Sequence, residues 1–555
     1  MNFVTWAIRN PVPVLMLFII LTFSGLVAFK KLGIQEQPDI AFPTITVSMS
    51  YAGTPPDQLE SEITRKIEDA VANIVGVRHI TSQVSQGFSI TIIELQVGTD
   101  LSQTVDDVRD AMTRIRPNLP ADALEPVISR VTISGLPILT YSVTSPEMSD
   151  EELSWFVDQV VVRQLSTVPG VGRVSRIGGV EREIRVDLDP DRMSALGATA
   201  SDVSRQLKRT QADLPAGTAR IGGQEQNVRA LGTIQTTQEL AALPIVLSDM
   251  RSVRLDTIAT VRDQAAERRE VALLDGSPVV GFSIARAWGA SIAGVGDGAE
   301  AAVATLRAEH PRMHIDVIND TTVQRVRESF RDSMLMLFEG AALAILVVWL
   351  FLRDWRATVI SASALPLAVI PTFLGLYLMG YTLNILTLLA LTLVVGMLVD
   401  DAIVEVENIV RHQHMGKAPL EAAKDAAIEI GLAVVATSLT LVAVFAPVAF
   451  MGGVTGEFFR PFAFTAALAV LFSLLVARLM TPAFAAHWMK PQKPHTGQPR
   501  LLSVYLRAIN WCLRHRGLSL GTATAVLLGT MALGPFLSSS FSPAGDRGSS
   551  SLIVE

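Results

Sequence analysis

Apolar residues gather into seven runs, each close to the ~20 residues that a helix needs to cross a bilayer. The runs cover 12–29, 334–352, 359–379, 385–406, 432–451, 462–479 and 518–537. Between the first and the second, over residues ~31–332, the pattern changes to short periodic segments. Ile45, Val47 and Met49 alternate and predict a strand over 44–50. Gly53-Thr54-Pro55-Pro56 marks a turn, and Leu59, Ile63, Ile67, Ala70 and Val71 then follow a 3.6-residue stripe. Segments 77–84 and 88–97 read as a hairpin around Gln86-Gly87, and a helix over 105–115 stops at Pro117. This order resembles a split βαβ unit. A second unit starts near Pro137 with strand 138–143, helix 151–165 and strand 171–177. Strand 279–285, a helix near 300–309 and strand 314–318 complete it, so ~182–272 is an insertion. Within the insertion, 211–232 is rich in Gly, Gln, Arg and Ala and predicts a long protruding hairpin or loop.

The predicted fold class is an α-helical membrane protein with an α+β insertion. Its parts are a first span (1–30), a first unit (31–134), a second unit (135–181 and 273–332) and the insertion between them (182–272). Spans two to six (333–489), a linker (490–516), a seventh span (517–538) and the start of a second soluble region (539–555) follow. The run Ser551 to Glu555 begins a fresh strand. The plan of one span, a soluble region and more spans thus restarts, and the chain reads as the N-terminal half of a longer protein.

Composition agrees: 49% of residues are hydrophobic, only 18% are charged, and mean hydropathy is +0.39. The net charge of −7 sits mostly in the soluble stretch and gives no reason to expect nucleic acid. Arg9, Arg353, Arg356, Arg411, Lys417, Lys424 and the tail from Lys490 to Arg516 fall on one side of the membrane, with Arg460 the exception opposite. By the positive-inside rule the N-terminus is cytoplasmic and ~31–332 lies outside. Lys30-Lys31 follows the first run with no small-x-small site before it, so that span is read as uncleaved. The lone Cys512 stands beside the seventh span, so no disulfide holds the outer region.

Asp400 and Asp401 stand side by side in Gly396-Met397-Leu398-Val399-Asp400-Asp401-Ala402-Ile403-Val404, midway along the fourth span. One charge at mid-bilayer costs roughly 2.5–3.5 kcal/mol on insertion scales, and such residues usually mark an ion or proton route. The two are ~100° apart around the helix, so their carboxyls diverge but stay close. Gly396 precedes Asp400 by one turn and would admit a neighbouring helix. Thr437, Ser438 and Thr440 on the next span offer hydroxyls. Glu405 and Glu407 read as solvated helix-end residues. Glu339 reads as interfacial or as part of an access path. With Arg478 placed near the cytoplasmic end of the sixth span, the acids lack a permanent counter-cation. The eight histidines suggest no metal site, and His412 and His414 read as loop residues. No Gly-x4-Gly-Lys-Ser/Thr stretch appears, which disfavours an ATP-driven pump.

The segment from Gly396 through Asp400, Asp401 and Glu407 to Asn408 is similar to the fourth-span signature of the resistance-nodulation-division (RND) exporters. It matches the hydrophobe/amphiphile (multidrug) efflux branch best. Phe351-Leu352-Arg353-Asp354-Trp355-Arg356, Gly452-Gly453-Val454-Thr455-Gly456, Thr481-Pro482 and Arg9-Asn10-Pro11 extend the likeness along the whole chain. The paired acids argue against the heavy-metal branch, which usually keeps one. The resemblance implies an RND-type helical bundle with split βαβ (ferredoxin-like) porter subdomains at 31–134 and at 135–181 with 273–332. Residues 182–272 would be the docking insertion. It implies a homotrimer in the bacterial inner membrane with a large periplasmic region. Its function would be export of hydrophobic or amphiphilic small molecules in exchange for protons, with no enzymatic activity and no cofactor beyond the proton-motive force. Implied partners are a periplasmic adaptor, an outer-membrane channel and membrane lipids.

Carried over residue by residue, Asp400 and Asp401 would be proton acceptors. Their family partner is a lysine of the tenth span, which is not in this chain. Gln211, Gly217, Gly222 and Gly223 would lie in a loop reaching a neighbouring protomer, a few residues shorter than is usual. Two pocket-lining phenylalanines of the family align with Pro137 and Ile177, which predicts an aliphatic pocket lining. Alternatives are an RND-type exporter of lipid, hopanoid or metal substrates, or a receptor-like relative that does not transport. An isolated half is expected not to complete a transport cycle.

Overall fold

The computed structural model describes residues 3–96, 98–132, 135–210, 214–221, 224–230, 234, 236–247, 251–268, 270–490 and 500–536. Among them, seven helices are long and apolar enough to cross a membrane: Pro11–Lys31, Thr321–Leu352, Trp355–Leu378, Ile385–His414, Gly431–Ala449, Gly453–Trp488 and Arg516–Phe536. They are numbered here as first to seventh span. The first six belong to a unit ending at Lys490. The seventh belongs to a separate unit with helix Arg500–Arg514, so the expected linker 490–516 contains regular structure.

The second span is longer than its apolar run. Its helix begins at Thr321, ahead of the apolar run, and continues unbroken to Leu352. Its first turns are amphipathic: Val323 and Val326 are buried in the core of the second α+β unit while polar neighbours face outward. Hydropathy marks only the part of a helix that suits lipid. At ~1.5 Å per residue this helix is a rod of about 48 Å joining that unit to the bundle.

The two α+β units repeat one topology. In the first, strands β1 (Ala41–Ser50), β2 (Val77–Ser85), β3 (Phe88–Leu95) and β4 (Val127–Thr132) form a sheet in the order β2-β3-β1-β4. In the second, β5 (Pro137–Thr144), β6 (Val171–Ile177), β14 (Ser277–Arg286) and β15 (His314–Asn319) follow the order β6-β14-β5-β15. Numbered within each unit, both orders read second, third, first, fourth. Each first strand leads into a helix interrupted by a π-helical turn, Glu60–Thr64 in one unit and Val157–Val161 in the other. Each sheet buries one apolar face against its helices. Ile45, Val47 and Ile93 pack with Leu59, Ile63, Val108 and Met112 in the first unit. Leu139, Tyr141 and Phe282 pack with Phe156, Val161, Val303 and Leu306 in the second.

The insertion contains β7 (Arg182–Leu188), the hairpin β8 (Leu214–Ile221) and β9 (Gln224–Ala230), β10 (Pro244–Val246), β11 (Ser252–Arg254) and β12 (Ala259–Ala265). β7 pairs with β12 along its length, and Ile245, Leu255 and Ile258 anchor a separate core. Gly217 lies on β8; Gln211, Gly222 and Gly223 fall outside the described residues. A short strand β13 (Ala272–Leu274) pairs with β14, so the second unit resumes at residue 272.

Candidate functional site

Asn384 starts the fourth span. Its side-chain oxygen accepts from the backbone N–H groups of Leu386 and Thr387, 3.1 Å each, and the Thr387 hydroxyl accepts from the Asn384 N–H at 2.9 Å. This capping box satisfies helix-end donors that water cannot reach at a buried end. The helix then buries one face, with Leu391, Val394, Val395, Leu398 and Val399 packed among the neighbouring spans. Ser473 of the sixth span donates to the Leu398 carbonyl at 2.8 Å and fixes the two helices together just before the acids.

Asp400 and Asp401 have different surroundings. Asp400 lies on the outer face of the bundle, in a stripe with Leu389, Leu393, Gly396 and Val404 at helical spacing. Asp401 is partly buried, and its Oδ2 lies 3.0 Å from the Ser438 Oγ on the fifth span. The same Oγ lies 3.0 Å from the carbonyl of Val434. A hydroxyl has one proton to donate and two lone pairs to accept with. When Asp401 is ionised, Ser438 can donate to it. When Asp401 is protonated, it can donate to Ser438, which turns its own proton to Val434. Both protonation states therefore keep a hydrogen bond between Asp401 and Ser438.

Several candidate positions lie elsewhere. Thr437 is on the outer face, and its hydroxyl donates to Val434 O. Thr440 donates to Ala436 O. Gly431, Val434 and Ser438 face inward, so helical phase selects Ser438 from the three hydroxyls. Gly396 has no described atom within 4 Å of where a Cβ would point, so no described helix of the first six spans packs closely on it. Glu339 is on the outer face of the second span. Pro137 and Ile177 are exposed in the strands flanking β14.

The largest correction is at Glu405. It is not a solvated helix end: its side chain is 0% exposed. One turn past Asp401, its Oε2 lies 3.4 Å from the Nη1 of Arg478, whose side chain is 16% exposed. The bundle does contain a buried cation. Arg478 sits in a π-helical segment, Val476–Met480, inside the sixth span. Such a bulge re-aims a side chain and is common at functional sites. Its Nη1 also donates to Ala427 O at 2.9 Å, and Asn408 donates to Ala426 O at 3.1 Å. Together they satisfy carbonyls at the end of helix Pro419–Glu429. A Cβ on Gly431 would stand 2.6 Å from the Arg478 Nη2, so a larger residue there would displace the guanidinium. Glu405 Oε1 has no hydrogen-bond partner among the described residues.

Beyond this pair a latch closes the end of the bundle remote from the α+β units. Lys417 Nζ lies 2.7 Å from Asp425 and 3.0 Å from the Nδ1 of His412. Lysine only donates, so Nδ1 accepts and Nε2 carries the proton toward Glu429, 2.7 Å away. Arg411 binds the other Glu429 oxygen at 2.5 Å. His412 is thus a buried latch residue, not a loop residue. Hydrogen bonds from Arg411 and His412 pull Glu429 down to about 2. A carboxylate lowered by folding stabilises the fold above its free value of ~4.3 and loses that contribution as pH falls. The melting temperature of the detergent-solubilised protein is expected to fall more steeply between about pH 4 and pH 2 than that of Glu429→Gln. Parallel curves would remove the latch from the account.

The opposite end of the fourth span is tied to the α+β units. Leu383 N donates to Gly33 O at 2.9 Å, Gln35 N to Leu383 O at 2.9 Å, and the Thr382 hydroxyl to Gln35 Oε1 at 3.1 Å. Gln35 Nε2 in turn donates to Asp39 and to Ala290 O, each at 3.1 Å. Asp39 forms a buried ion pair with Arg286 of β14. The segment from Gly33 to Asp39 therefore links the start of the acid-bearing helix to the second unit.

A family model described as the AcrB/AcrD/AcrF family matches residues 3–555. The chain is 34% identical over 549 residues to multidrug resistance protein MdtC of Pectobacterium atrosepticum, covering 97% of this chain and 53% of that protein. It is 32% identical over 559 residues to MdtC of Shigella flexneri, covering 99% and 54%. The chain spans about half the length of the curated relatives it matches.

Proposed function

The chain belongs to the AcrB/AcrD/AcrF family of RND proteins, and from that premise we propose that it exports hydrophobic or amphiphilic small molecules in exchange for protons. The observation that carries this reading is Asp401, held in mid-span by a hydroxyl that serves both its charged and its neutral form. Two states of similar cost are what a carrier of protons needs. A structural aspartate would be better served by a partner that fixes one state.

Asp400 completes the relay on the outer stripe, where a cation from the partner bundle would face it. Protonation would be transmitted through the fourth helix to its start, and from there through Gln35 and Asp39 to Arg286 in the second unit. The shared strand order, with each first strand leading into a helix, is that of a split βαβ fold. It supports reading both units as porter subdomains in the periplasm, with the bundle in the inner membrane. The insertion would dock an outer-membrane channel beside a periplasmic adaptor, and the β8–β9 hairpin would reach a neighbouring protomer of a trimer. The proton-motive force supplies the energy.

In a strain stripped of its own pumps, the complete gene product is expected to lower accumulation of an amphiphilic dye, and collapsing the proton gradient should erase the effect. Dye accumulation that an uncoupler leaves unchanged would exclude proton coupling. Deleting residues 217–227, the centre of the hairpin, is expected to reduce trimers in native mass measurements and leave the β-sheet signal of the soluble units intact. Undiminished trimers would exclude an intersubunit role for β8 and β9.

A further inference from the structure

We infer that the groove between the second and third spans is a binding site for an anionic phospholipid. The groove has a volume of ≈ 380 Å³ and is lined by Ala342, Ile345, Leu346, Trp349, Trp355 and Val359, together with Thr358, whose hydroxyl donates to Asp354 O. It opens on the outer face of the bundle, and both indoles stand half out of the protein, Trp349 at 53% and Trp355 at 57% exposed. Ala342 to Trp349 covers two helical turns, ~10 Å along the axis, which is a length of acyl chain.

The mouth of the groove gives the headgroup its charge. Arg353 caps the second span in a left-handed conformation, φ 51°, with its N–H bonded to Trp349 O at 2.9 Å. Its exposed side chain has no ion pair or hydrogen bond among the described residues. The Arg356 guanidinium lies 5.4 Å from the Trp355 ring and donates to Trp488 O at 3.1 Å. Among the described residues that leaves donors free and no carboxylate on it. The nearby acid, Asp354, accepts from Arg356 N at 2.8 Å and is held in capping the third span. Trp355 packs edge-on against Trp488, 5.4 Å between centroids, so the aromatic wall is fixed. Two arginines in the turn that joins the slot's two helices, one with its guanidinium beside an indole of the wall, match a phosphate ester on an acyl chain. A zwitterionic lipid would fill the slot but bring a second cation against the arginines. The site needs no transport and stands independently of the proposed function.

The chain is reconstituted into phosphatidylcholine nanodiscs containing a minor fraction of either phosphatidylglycerol or phosphatidylcholine with dibrominated acyl chains. The signal is the tryptophan quenching that disappears in Trp349→Phe/Trp355→Phe. Two arginines beside an anionic headgroup should give brominated phosphatidylglycerol roughly a ten-fold advantage over brominated phosphatidylcholine. Arg353→Gln/Arg356→Gln should bring the two lipids level, and Arg353→Lys/Arg356→Lys should keep most of the preference. Equal quenching by both lipids in the unmodified protein would overturn the proposal, leaving a slot filled by any acyl chain. Groove indoles that neither lipid quenches would also overturn it and show a covering of protein instead.

Discussion

Replacing Arg478 by methionine is expected to destabilise the membrane bundle by about 3–5 kcal/mol, the usual cost of leaving one partner of a buried ion pair alone. Among the described residues the substitution strands Glu405 at 0% exposure with both oxygens unpaired, since Oε1 already has no partner there. It also removes the donor to Ala427 O, at the junction between helix Pro419–Glu429 and the fifth span. Volume is not the issue, because methionine fills much of the same space. The double variant Glu405→Met/Arg478→Met therefore separates the causes. Buried pairs exchanged for apolar residues of similar size are often neutral or better. Thermal unfolding in detergent should show a large drop for Arg478→Met and most of it regained in the double variant. Equal losses in both would mean that the carbonyl contact, not the charge pair, stabilises this end.

Asp401→Asn is expected to reduce export by the complete pump to the level of an empty membrane, with unchanged yield and elution profile. An amide keeps the shape and can still bond to Ser438, but it cannot take up a proton. Ser438→Ala keeps the titrating group and loses one hydrogen bond, worth about 0.5–1.5 kcal/mol net. It should slow export by roughly ten-fold or less. This ordering distinguishes a proton carrier from a packing site, for which the two substitutions would do similar harm. Dye efflux persisting in Asp401→Asn at normal protein levels would refute the relay.

Much of this was legible because membranes and sheets impose simple periods. The seven apolar runs correspond to the seven long helices, and the alternation of Ile45, Val47 and Met49 is the buried face of β1. Asp400 and Asp401 stood out because nothing polar surrounds them in sequence. The Glu405–Arg478 pair stayed hidden because its members are 73 residues apart and each, taken alone, resembles a charged helix end. A usable signal was present: Arg478 interrupts Leu475-Val476-Ala477 and Leu479-Met480, and Glu405 lies one turn from Asp401. Ser438 was obscured by its neighbours Thr437 and Thr440. The phase of Gly431 and Val434 would have selected it, since small or apolar residues one turn apart mark the inner face. Helix Pro419–Glu429 and its latch leave no apolar run in the sequence. Its alanines, Ala422, Ala423, Ala426 and Ala427, bury a face too short to register as a hydrophobic run.

In the proposed cycle substrate movement and proton movement are one process through Asp401. Its most direct measurement uses proteoliposomes of the complete pump with a pH-sensitive dye inside and a fluorescent amphiphile outside. An imposed pH gradient should drive the amphiphile against its own gradient, and an imposed amphiphile gradient should move protons the opposite way. Asp401→Asn should abolish both at once. Amphiphile transport that continues at full rate with no proton flux, or in Asp401→Asn, would contradict the account.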